Sequence, residues 1–211
     1  MASVALEIVG LLLSVSGLVC ALLSCALPLW KVPAFQGGNM VTALQTWEGL
    51  WMDCVWQSTG ELVCSTFDSV LILSGQLQAA RALTTTAAAL AAVGILLTIP
   101  GAGWTTLIRW LTCKVRITSA AGFIFLLTGV LQLVPVSTTA SGIVSDFYSE
   151  STPEQAKKEL GPSLYLGMAA GILFIAGGCS LWVSCYMRRG QDTCPVLYTP
   201  GHADAIQSQY V

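Results

Sequence analysis

Cys54 and Cys64 lie at equal distances from Thr59, the centre of the turn signal Ser58-Thr59-Gly60. An antiparallel hairpin about that centre sets the two residues opposite each other, with Cβ atoms roughly 4.5–5.5 Å apart. That separation is within reach of a disulfide. Side-chain alternation then gathers Cys54, Trp56, Leu62 and Cys64 on one apolar, covalently stapled face. Asp53, Val55, Gln57, Glu61, Val63 and Ser65 form the other face, which is mixed and can meet water or ions. Closing so short a loop is worth on the order of 2–3 kcal/mol. Met40-Val41-Thr42 has further strand character, so a small antiparallel sheet is expected. Catalytic chemistry has no comparable support. The single histidine, His202, falls in a polar tail, and neither a metal set nor a nucleophile–base pair accompanies it. The chain reads as a non-enzyme, with no cofactor, metal or nucleic-acid partner expected.

The elements that must position this hairpin follow from composition. Of 211 residues, 55% are hydrophobic and only 9% charged, against about 25% charged in an ordinary soluble domain. So few charges cannot build a polar shell, and lipid is the solvent that removes the need for one. Residues 8–30, 82–108, 117–145 and 160–187 are free of charge. Each holds enough apolar residues to cross a bilayer core, which takes roughly 20. The predicted spans are 8–29, 82–100, 117–137 and 163–184, leaving termini 1–7 and 185–211 and loops 30–81, 101–116 and 138–162. The expected fold is an all-α transmembrane four-helix bundle with a small extracellular antiparallel β-sheet. Glu7, at the edge of the first span, suits a helix N-terminus. That span reads as an uncleaved anchor, because no basic residue precedes it and it is too long for a signal sequence. Gly167 and Gly171 form a G-x-x-x-G pair in span four, followed by Gly177-Gly178, a pattern that lets helices approach closely in lipid. Gln132 alone at mid-span is too little for an ion-coupled transporter.

Charge and redox state orient the bundle. Arg109, Lys114 and Arg116 follow span two, and Arg188-Arg189 follow span four, which assigns those ends to the cytoplasm. The other side carries Lys31, Arg81, Lys157 and Lys158 among many carboxylates, including Glu48, Asp53, Glu61, Asp68, Asp146 and Glu159. A Cys54–Cys64 bond needs an oxidising face, so loop 30–81 is read as extracellular and both termini as cytoplasmic. Cys185, near the inner end of span four, is a candidate for palmitoylation. The tail after Arg189 is polar, with Pro195, Pro200 and Gly201, and is expected to be disordered.

At this point the residues resemble the claudin family. The resemblance rests on Trp30, then Gly49-Leu50-Trp51, then Cys54 and Cys64, with Arg81 closing the loop in Gln78-Ala79-Ala80-Arg81. Ser24 to Lys31, Asp146-Phe147-Tyr148, Glu159-Leu160-Gly161 and the final Tyr210-Val211 add to it, so the likeness runs the length of the chain. It departs from the family where Ser149-Glu150 stand in place of Asn-Pro and Thr138 in place of Trp. The resemblance implies a plasma-membrane protein of the tight junction that polymerises with itself and other claudins, in cis and in trans, and seals the paracellular space. It implies that Val70 packs on a neighbour's Phe147 and Tyr148 in the cis strand. It implies that Gln209-Tyr210-Val211 dock in PDZ domains of cytoplasmic scaffolds, as an extended terminus adding to a sheet edge.

In charge-selective claudins the permeating ion is read by side chains near the two loop cysteines. Gln57, Ser65 and Thr66 are neutral here, while Asp53, Glu61 and Asp68 make the loop acidic. A barrier with a weak preference for cations is the expectation. The alternative is a tetraspan accessory subunit, similar to the myelin-protein and calcium-channel gamma relatives, that modulates another membrane protein.

Overall fold

The computed structural model describes residues 2–34, 45–56, 60–67, 74–103, 105, 111–149 and 157–192. Four helices, α1 (Ala2–Ala26), α2 (Gly75–Gly101), α3 (Leu111–Tyr148) and α4 (Pro162–Asp192), form the bundle. All four are long and apolar enough to cross a membrane. Their outward faces carry Leu12, Leu96, Phe123 and Ile172 exposed, which is stable only where the surroundings are also apolar. Inside, Ala91, Phe125, Ala170 and Phe174 are fully buried. The Phe125 and Phe174 rings stack with centroids 6.4 Å apart.

Small residues set how near the helices come. α4 packs between α1 and α3, and α2 packs chiefly on α3. A Cβ built on Gly177 would stand 3.0 Å from the Gly10 carbonyl oxygen, and one on Gly178 would stand 2.8 Å from that of Gly122. Gly171 faces Gly129 in the same way. Backbones thus touch at three points on two helix pairs, one on α1–α4 and two on α3–α4, which supplies the van der Waals contact that association in lipid depends on.

All four helices extend past the predicted spans at one end or both, α3 by the most. α3 has 38 residues, or about 57 Å at 1.5 Å per residue, well beyond a hydrocarbon core of about 30 Å. The segment 138–148, expected as loop, is helical. Within the helix the hydroxyls of Thr138, Thr139 and Ser141 are satisfied by donating back to carbonyls of the preceding turn. α2 likewise starts at Gly75, within the segment expected as first loop.

The sheet stands on that end of the bundle. Its strands are β1 (Lys31–Pro33), β2 (Gln45–Glu48), β3 (Met52–Trp56), β4 (Leu62–Thr66) and β5 (Lys158–Leu160), in the order β4-β3-β2-β1-β5. Every pairing is antiparallel. The β3–β4 register sets Cys54 against Cys64 and Trp56 against Leu62, as the turn geometry predicted, and a disulfide joins the cysteines. Gly60, at φ +84°, occupies the left-handed region that glycine enters freely. Of the stapled face only Cys54 is buried; β4 is exposed along its whole length. β5 comes from the second loop, a pairing not foreseen because Lys158-Glu159-Leu160 is too short and charged to read as a strand. Met40-Val41-Thr42 lies outside the described residues.

Candidate functional site: the joint of sheet and bundle

The signature residues converge where the sheet meets the helices. Trp30, at the end of the α1 connection, is buried, and its indole Nε1–H donates to the Ser24 carbonyl at 2.7 Å. Its backbone is held on two sides, by N–H to Glu48 O at 3.0 Å and by C=O from Gly161 N–H at 3.0 Å. Gly49 admits the close approach: an added Cβ would fall 2.5 Å from Pro28 Cα. Leu50 then plugs into a core of Trp30, Ala80, Val136, Ile143 and Leu164. Arg81, on the first turns of α2, is buried and donates from Nε to the Leu50 carbonyl. Its guanidinium lies 5.0 Å from the Trp51 ring centre and 5.1 Å from that of Phe67. Such cation–π contacts, largely desolvated, hold the β2–β3 turn against α2.

Glu48 ties three strands together. Its carboxylate accepts from Lys158 of β5 and pairs with Lys31 of β1 at 3.5 Å. Burial works to raise the Glu48 carboxyl, but the Lys158 hydrogen bond and the Lys158 and Lys31 charges outweigh it and hold it below the usual carboxylate range. Asp53, the cross-strand neighbour of Glu48, goes the other way. Burial, then repulsion from Glu48, pushes it above the usual value. Asp53 lines a cavity of about 330 Å³ between sheet and helices, together with Trp30, Lys31, Glu48, Phe67 and Asp146. Among the described residues no group of three or more His, Cys, Asp or Glu side chains is arranged to hold a metal ion.

The structure separates the remaining candidates. Glu61, Ser65 and Thr66 are exposed at the hairpin and along β4; Ser65 stands opposite Asp53 in the β3–β4 register, but the cavity wall includes Asp53 and Phe67 and none of these three. Phe147 and Tyr148 form the projecting tip of α3, in an edge-to-face pair 5.7 Å apart, with Tyr148 80% exposed. The Lys157 ammonium sits 5.3 Å from the Phe147 ring centre. Gln57, Asp68, Val70, Gln209, Tyr210 and Val211 lie outside the described residues. Cys185 is buried, with its thiol 3.6 Å from the Val115 carbonyl on α3. An acyl chain on that sulfur would require the side chain to turn out of the helix contact.

Known proteins share this sequence along most of its length. The family model described as PMP-22/EMP/MP20/Claudin family matches residues 4–181. Claudin-3 of Rattus norvegicus is 47% identical over 197 residues, covering 93% of this chain and 90% of that protein. Claudin-4 of Canis lupus familiaris is 44% identical over 211 residues, covering both chains completely. Claudin-6 of Homo sapiens is 44% identical over 93% of this chain and 94% of its own. The chain belongs to the claudin family.

The claudin signature accounts for the joint but not for a second buried cluster at the far end of the bundle. Glu7 is 1% exposed and pairs with Arg188 of α4 at 2.8 Å. It also accepts from Gly103 N–H at 2.9 Å and from Ser184 at 3.3 Å. Glu7 lies near the start of α1, as its place at the edge of the first span suggests, but its carboxylate turns inward to a cation that the sequence did not connect to it. An acid and a base bordering opposite apolar runs was the available signal.

Proposed function

We propose that this chain is a strand-forming protein of the tight junction that seals the space between adjacent cells, its sheet in the intercellular gap and both termini cytoplasmic. The observation that carries the reading is the unpartnered apolar surface on the sheet end. Trp56 and Leu62 stand roughly half exposed on one face of the β3–β4 hairpin, Val63 is as exposed on the other, and the aromatic tip of α3 projects at the opposite edge of the sheet, beside β5. A surface of that kind outside lipid calls for a protein partner, and β4, with no further strand beside it among the described residues, offers backbone pairing as well. Further copies of this chain and of other claudins are the partners that family membership supports, with Val70 meeting a neighbour's Phe147 and Tyr148. The Cys54–Cys64 bond supports the orientation, since it belongs on an oxidising face.

The pathway that remains between sealed copies prefers cations weakly. Lys31 and Lys158 are committed to Glu48, and Arg81 is buried beneath aromatic rings. Exposed Glu61 is left with neutral Ser65 and Thr66 along the hairpin, and Asp68 adds charge of the same sign. Screening over about 8 Å at physiological salt keeps the field modest. Epithelial monolayers expressing the chain should gain transepithelial resistance, and dilution potentials should show sodium favoured slightly over chloride. Clear chloride preference would reject the sign, and strong sodium selectivity would reject sealing as the main role.

At the cytoplasmic side, Gln209-Tyr210-Val211 dock in a scaffold PDZ groove, with Val211 filling the apolar pocket and its carboxylate held by backbone N–H groups. A tail peptide should retain junction-scaffold PDZ domains in a pull-down, and removal of Val211 should release them. Equal retention by both peptides would show that the terminus is not recognised.

A further inference from the structure

We propose that the groove between α3 and α4, at the end of the bundle away from the sheet, binds one anionic phospholipid. The groove has a volume of about 560 Å³, and its walls include Val115, Arg116, Ser119, Phe123, Trp182 and Tyr186. Its floor exists because α3 and α4 touch at Gly122 and Gly178, where an added Gly122 Cβ would fall 2.6 Å from the Trp182 ring. The Trp182 indole N–H donates to the Ser119 carbonyl at 3.1 Å, which fixes the ring as a rigid wall. Phe123 and Tyr186 stand exposed on either side of it. Trp and Tyr at the end of a span sit at headgroup depth, and Arg116 lies just inside the apolar stretch Lys114–Tyr148. Its long stem brings the guanidinium to the level of lipid phosphates.

Charge decides which lipid. Lys114 is buried and donates to the Thr105 carbonyl, while Arg188 is buried and paired with Glu7. Arg116 is exposed at the groove mouth. The Glu7 carboxylate at this end already has its charge met by Arg188, and Asp192 is the last residue of α4, six positions beyond Tyr186. A groove open to the bilayer fills with lipid whatever its walls, but an anionic headgroup gains charge-assisted hydrogen bonds from Arg116. Basic pockets between helices on the cytoplasmic side hold anionic headgroups for this reason. The inference draws on the proposed orientation, since anionic lipids concentrate in the cytoplasmic leaflet. Its test does not depend on that orientation.

The full chain would be reconstituted in symmetric phosphatidylcholine vesicles containing a minor fraction of phosphatidylserine or phosphatidylcholine with brominated acyl chains. The Trp182 signal is the difference between the unsubstituted chain and Trp182→Phe. Brominated phosphatidylserine should quench it more than brominated phosphatidylcholine does. Arg116→Gln should lower the apparent affinity for phosphatidylserine about fivefold, the factor that corresponds to about 1 kcal/mol per basic residue, while Arg116→Lys keeps most of it. Added inorganic phosphate should leave the quenching unchanged. Equal quenching by the two lipids, an undiminished preference in Arg116→Gln, or relief by inorganic phosphate would each overturn the assignment. Because both leaflets carry the probe lipid, failure here would leave the reading of the sheet end untouched.

Discussion

Gly161→Ala is expected to prevent most of the chain from reaching the cell surface in folded form. An alanine Cβ at this position would lie 1.9 Å from the Leu29 carbonyl oxygen and 3.0 Å from the Trp30 carbonyl carbon. Both neighbours are backbone, so no side-chain rotation relieves the overlap. The strand end must retreat, and with it go the Gly161 N–H bond to Trp30 and the β1–β5 pairing of Lys31 with Leu160. Overpacking typically costs about 1–3 kcal/mol, and a backbone-on-backbone clash belongs at the top of that interval. Gly142→Ala is the matched control, since its Cβ would meet only Gln76 Nε2 at an ordinary 3.5 Å. There the helix should gain up to about 1 kcal/mol. Surface biotinylation of the two variants distinguishes them; normal delivery of Gly161→Ala would contradict the close backbone contact.

The second large effect is expected at the other end of the bundle. Glu7→Ala strands the Arg188 guanidinium in a site that is 8% exposed, with the Gly103 N–H also losing its acceptor. Removing one partner of a buried ion pair costs about 3–5 kcal/mol. Replacing both, as Glu7→Leu with Arg188→Met, should recover most of the loss, because apolar side chains of similar size avoid burying a lone charge. Heating the purified protein in detergent and following its tryptophan emission reads the difference. A Glu7→Ala transition within about 0.5 kcal/mol of the unsubstituted chain, the range of ordinary surface changes, would show that the pair ties nothing together.

Much of the architecture was legible because lipid imposes a coarse rule on sequence. A run without charge long enough to cross the bilayer has few alternatives to a helix, and the four spans follow from that alone. The hairpin was legible for a different reason. Two cysteines spaced evenly about a turn leave one register, and Cys54 opposite Cys64 is the register observed. What stayed hidden depends on contacts between distant segments. Nothing local in Lys158-Glu159-Leu160 says that it will pair with Lys31-Val32-Pro33, and the pairing arises because Gly161 lets the two backbones meet. Glu48 illustrates the same limit, since it counts as one more acidic loop residue until the sheet brings Lys31 and Lys158 to it. The end of α3 was misplaced because Ser and Thr at 137–141 read as loop, whereas in the helix their hydroxyls return to backbone carbonyls.

The central claim is that copies of this chain assemble into strands, and the most direct measurement is freeze-fracture electron microscopy of strand-free cells made to express it. Continuous intramembrane strands at contacts between two expressing cells are the predicted result. Abundant surface protein with smooth fracture faces would contradict it and would fit a tetraspan subunit that acts on another membrane protein.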